Sequence, residues 1–132
     1  MDAEPPPTTH IRIGPLIRDI IILVVLTGLG GFVVGFSRGQ QTSDAQYGLA
    51  IGVSNLIFEI VGFTISGCLA PPGRRRHLAL VALGAWIVSI FNVIFFDVNI
   101  ILWMASVVMM AVTMGIGGAI SYLFKRDVKP GH

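Results

Sequence analysis

The chain has 132 residues, 54% hydrophobic and only 12% charged, with a formal charge of +2. A soluble domain carries about a quarter of its residues as charge, which excludes a water-soluble globule as the main reading. A single cysteine, Cys68, excludes an intramolecular disulfide.

Residues 1–12 are polar and proline-rich and read as a disordered tail. The first apolar block covers 13–36, with Pro15 suited to a first helical turn. Its core, IIILVVLTGLGGFVVGF, is too long for a signal-peptide apolar region and no small-residue cleavage site follows, so a retained anchor is expected. After the polar loop SRGQQTSDAQ comes a second block, 47–70, stopped by Pro71-Pro72-Gly73. A third covers 78–96 and a fourth 98–124, with so tight a turn around Asp97 that the two must form an antiparallel hairpin. Residues 125–132 form a polar tail.

Each block is long enough to cross about 30 Å of hydrocarbon as a helix, and none alternates as a barrel strand would. The expected fold is therefore an all-α integral membrane bundle of four transmembrane helices spanning 13–124. Arg12, Arg18, Arg74, Arg75, Arg76, Lys125, Arg126 and Lys129 fall on one side of it, and Arg38 alone on the other. That asymmetry places both termini on the cytoplasmic side of a multi-pass protein of the cell membrane. It also points to anionic lipid headgroups at Arg74, Arg75 and Arg76, not to nucleic acid. Tyr47, Trp103 and Tyr122 suit an aromatic belt, whereas Trp86 lies deeper, between helices.

Glu59 carries the only charge of the second span, near its middle. At about 100° per residue, Gly48, Gly52, Asn55, Glu59, Gly62 and Ser66 share one narrow face of small and polar side chains. Facing it, Ser89 and Asn92 lie on one side of the third span and Thr113 on the fourth. Ser89 and Thr113 come close to the depth of Glu59, and Asn55 and Asn92 sit about one turn further out. A midplane carboxyl is costly unless protonated, paired or hydrated, which makes it a functional candidate. No cationic side chain is expected within the hydrocarbon beside it, so the neutral acid should be populated. Glu59, Asn55, Asn92, Ser89 and Thr113 are thus the expected proton- or cation-binding residues.

The bland reading of this pattern is helix packing. Small residues spaced four apart, Gly31 with Gly35 and Gly48 with Gly52, let helices approach closely, and Gly62 does the same beside Glu59. Membrane Asn, Ser and Thr often serve only as interhelical hydrogen bonds. Enzyme signatures are lacking: there is no Cys/His metal spacing and no phosphate-binding glycine loop. His10, His77 and His132 all lie outside the four apolar blocks. No enzyme, metal or cofactor is expected. The leading function is proton- or cation-linked transport centred on Glu59; the alternative is a non-transporting accessory or scaffold subunit. Four helices enclose little space, so a homo-oligomer or a larger membrane complex is expected. Four spans with one membrane glutamate are broadly similar to the small multidrug-resistance transporters. Their essential glutamate lies in the first helix, whereas this one lies in the second, so no residue role is carried over.

Overall fold

The computed structural model describes residues 12–37 and 43–124. They form five helices: α1 (Ile13–Phe36), α2 (Asp44–Leu69), α3 (Arg74–Val88), α4 (Ile90–Phe96) and α5 (Ile100–Phe124). Only Ser89 separates α3 from α4, so the described residues are all-helical, with four segments long and apolar enough to cross a membrane. The expected N-terminal disorder and the positions of Arg38, Lys125, Arg126 and Lys129 lie outside the described residues.

The first segment has the bounds that hydropathy gives it; the others start where local backbone chemistry sets them. α2 begins at Asp44 and not Tyr47, because Ser43 and Gln46 form a capping box. In it Gln46 N–H donates to Ser43 Oγ and Ser43 N–H to Gln46 Oε1, each at 3.3 Å. The third segment begins at Arg74 and not Leu78. Gly73 turns the chain at φ 91°, a conformation that suits glycine, and the three arginines become the first turn of α3. The fourth begins at Ile100 and not Val98. Asp97 ends α4 in the left-handed region, and Asn99 Oδ1 accepts from Ile101 N–H at 2.8 Å as a helix cap.

α2 is the central helix, packed between α1 and α5, while α3 lies across α1 and α5 and α4 touches only α3 and α5. Gly62 abuts Leu23 and Gly30 abuts Ser54 and Phe58, so α1 and α2 run antiparallel. Gly117 abuts Phe63 and Gly67 abuts Ser121, so α2 and α5 run parallel. A Cβ at Gly117 would lie 2.7 Å from the Ile60 carbonyl oxygen and 2.6 Å from Phe63 Cβ, so glycine is what lets these two helices meet.

Leu23, Phe63, Leu78, Val81, Ala85 and Met110 form the core. Much of the remaining apolar bulk faces outward: Phe32, Phe36, Phe95, Phe96, Ile101 and Leu123 are all more than half exposed. Such a surface suits hydrocarbon and not water. In that solvent the tails are as apolar as leucine, so the helices are held by close packing and hydrogen bonds.

Packing is uneven along the bundle. The end bearing Arg12, Arg18 and Arg74–Arg76 is termed the basic end, and the opposite one, near Phe36, Ser43, Phe96 and Ile100, the far end. Among residues 24–36, 44–61, 90–96 and 100–109, only Gly30 is buried. Nearly all of the buried core thus lies between the level of Glu59 and the basic end.

Candidate functional site

Glu59 lies partly buried on the face of α2 turned toward α5. Thr113 Oγ1 sits 2.9 Å from Glu59 Oε2 and 3.1 Å from the carbonyl oxygen of Met110. A hydroxyl has one hydrogen to give and lone pairs to receive one. When Glu59 is ionised, the Thr113 hydroxyl donates to it. When Glu59 is protonated, its own O–H donates to Thr113 Oγ1, and the Thr113 hydrogen turns to the Met110 carbonyl. Both protonation states therefore keep their hydrogen bonds, with a single hydroxyl rotation between them.

Toward the far end, the same face continues through Asn55, Gly52 and Gly48. A Cβ at either glycine would meet nothing within 4 Å. Toward the basic end, the face meets the layer where Leu23 and Phe63 are fully buried and Gly117 touches Phe63. Glu59 thus stands at the boundary between an open face and a closed layer.

The residues expected to share its site separate into two groups. Thr113 reaches Glu59; Asn55, one turn along α2, is partly exposed and makes no side-chain hydrogen bond to it. Ser89 is engaged elsewhere: its Oγ donates to the Trp86 carbonyl at 2.6 Å and accepts from Trp103 Nε1 at 2.9 Å. Trp86 and Trp103 stack with centroids 4.2 Å apart, and Trp86 Nε1 donates to the Trp103 carbonyl at 3.2 Å. Asn92 is exposed on α4. Of the glycines, Gly62 is buried against Leu23 and Gly35 faces the Tyr47 hydroxyl, whereas Gly31, Gly48 and Gly52 border open space.

A second polar cluster, which the sequence reading did not anticipate, lies at the basic end. Asp19 is fully buried, with both carboxylate oxygens engaged. Arg18 Nε donates to Oδ1 at 2.6 Å, and the buried His77 donates from Nε2 to Oδ2 at 2.7 Å. Arg18 also reaches the Leu69 carbonyl at 3.4 Å, tying α1 to the end of α2. A buried carboxylate without such partners would be strongly destabilising. By the register of Leu23 with Gly62, Asp19 is level with Ser66, whose buried Oγ has no hydrogen-bond partner. This level lies about 10 Å along α2 from Glu59, beyond the Leu23–Phe63 layer.

The signal for this cluster was present in the sequence as helical spacing. His77, Val81 and Ala85 recur every fourth residue, as do Asp19 and Leu23, and all five are buried. A hydropathy boundary at Leu78 hides the first of these patterns.

The arginines at this end differ in setting. Arg74 Nη1 donates to Ser121 Oγ at 3.3 Å, and its guanidinium lies 4.1 Å over the Tyr122 ring. Arg75 and Arg76 are exposed. Cys68 is a free thiol packed 4.0 Å from the Ser121 carbonyl oxygen.

No family model, curated protein or solved structure matches the chain.

Proposed function

We propose that this chain is a multi-pass protein of the cell membrane that carries protons or a cation across the bilayer by way of Glu59. The observation that carries the reading is the Glu59–Thr113 pair, a carboxyl group that keeps its hydrogen bonding in either protonation state at the inner end of an open face. The basic end lies at the cytoplasmic leaflet, with both termini on that side, as the distribution of arginine and lysine favours. A proton or dehydrated cation enters from the far end along Asn55, Gly52 and Gly48 and binds at Glu59. Asn55 offers a carbonyl oxygen on the way. Release toward the basic end requires the Leu23–Phe63 layer to yield. Neither enzymatic chemistry nor a resident metal or cofactor forms part of this reading.

The test is proton and cation flux into liposomes holding the purified protein, from mildly acidic to mildly alkaline pH. Flux by the wild type that disappears in Glu59→Gln is the expected result. Equal flux in a folded Glu59→Gln variant would rule out the mechanism.

A second reading is favoured by the empty space beside Gly28, Gly31, Gly48 and Gly52. Small residues on an open helix face are what a neighbouring membrane helix packs against, so these faces suit a second copy or a larger complex in which the chain transports nothing. Cysteine at position 52, in a Cys68→Ala background, separates the two. Labelling by a membrane-impermeant maleimide from the far side is expected for transport. Protection in the native assembly, relieved when the assembly is dissociated, would favour the scaffold.

A further inference from the structure

A groove of about 370 Å³ opens between α3 and α5 at the basic end. Leu78, Met114, Gly115 and Gly118 line its length, and Arg74 and Arg75 line it at the end of the bundle. A Cβ at Gly115 would meet nothing within 4 Å, so the absence of a side chain there helps keep the groove open. From the level of Tyr122 to that of Met114 it runs about 12 Å along α5, against roughly 15 Å for the hydrocarbon of one leaflet.

Its two ends differ in chemistry. The walls are apolar, whereas the mouth holds two guanidinium groups, one of them fixed in place. The bond to Ser121 Oγ and the stacking over Tyr122 hold Arg74 while using a single N–H of its five. The rest stay free for an oxyanion, which a planar guanidinium engages through two parallel hydrogen bonds. Arg75 adds a second, exposed cation beside it.

We propose that this groove is a binding site for one anionic phospholipid, its phosphodiester held by Arg74 and Arg75 and the upper part of an acyl chain lying along Leu78 and Met114. Charge complementarity selects the headgroup, and the apolar channel beneath it distinguishes a lipid from free phosphate. The proposal rests on the membrane reading above, with the basic end at an anionic leaflet, but not on transport through Glu59.

The experiment is native mass spectrometry of the full chain in detergent, titrated with phosphatidylglycerol or phosphatidylcholine of identical acyl chains. One phosphatidylglycerol per chain is expected, preferred by roughly thirtyfold, the worth of two arginines at an anionic surface. Arg75→Gln, which leaves the Arg74–Ser121 bond intact, should reduce that preference several-fold. Gly115→Leu, which places a side chain in the open groove, should lose retention of either lipid while its helicity by circular dichroism stays that of the wild type. Glu59→Gln should retain the lipid unchanged, so a failure of the transport reading and a failure of this one are distinguishable. Equal retention of the two lipids by the wild type, or undiminished retention by Gly115→Leu, would overturn the proposal. So would displacement of phosphatidylglycerol by an equal concentration of inorganic phosphate.

Discussion

At the basic end each of α1, α2, α3 and α5 buries a polar side chain: Asp19, Ser66, His77 and Ser121. At the far end the corresponding polar residues, Ser54, Asn55, Asn92 and Ser106, are all at least partly exposed. Polar groups in hydrocarbon need partners. At the basic end Asp19, His77 and Ser121 meet that need with bonds between helices, while the buried Ser66 Oγ stays without a partner. At the far end Ser106 bonds the Trp103 carbonyl of its own helix, whereas Asn55 and Asn92 are left to water or to another helix, and Glu59 sits where one regime passes into the other. One bundle thus holds a rigid anchor and an uncommitted face, divided by the Leu23–Phe63 layer.

The sharpest way to break this contrast is to remove the buried carboxylate. Asp19→Ala leaves the buried His77 Nε2 without its acceptor and releases Arg18, and should cost about 3 kcal/mol of stability. Asn55→Ala at the far end should stay within about 0.5 kcal/mol. Denaturant unfolding in detergent measures both, and equal losses would dissolve the distinction. A smaller effect is expected from glycine. Gly117→Ala pushes a Cβ against the Ile60 carbonyl and should cost about 1–3 kcal/mol, whereas Gly52→Ala should cost nothing in the monomer. If Gly52→Ala proved as harmful, α2 would be packed along its whole length. The smallest effect falls at the boundary itself. Thr113→Val removes the hydroxyl from Glu59 and should cost about 0.6 kcal/mol, the average for an interhelical hydrogen bond in a membrane. Thr113→Ser should restore it, and a valine variant as stable as wild type would show that the bond contributes nothing to the fold.

Much of this architecture was legible because hydropathy over a spanning window is a strong signal. The four segments and the α3–α5 hairpin follow from it, as does Trp86 between helices. Thr113 was found because depth and helical face agree at that position. Ser89 lies nearer the far end, where its hydroxyl is held by Trp86 and by Trp103, ten residues along α5 from Thr113. The turn at Ser89 also interrupts the 3.6-residue repeat on which the placement of Asn92 relies, and Asn92 faces outward. His77 was missed for a different reason. Hydropathy marks where a helix becomes apolar, whereas Gly73 and the prolines before it determine where the helix begins. Asp19 was missed because sequence gives no sign that a buried histidine waits across the interface.

The stacked Trp86–Trp103 pair contains every tryptophan of the chain. Two indoles at that separation are electronically coupled, so the native far-ultraviolet dichroism carries an exciton contribution that exists only while α3 and α5 are clasped beside Ser89. The protein therefore carries its own optical gauge of that clasp, readable in any membrane mimetic without a label.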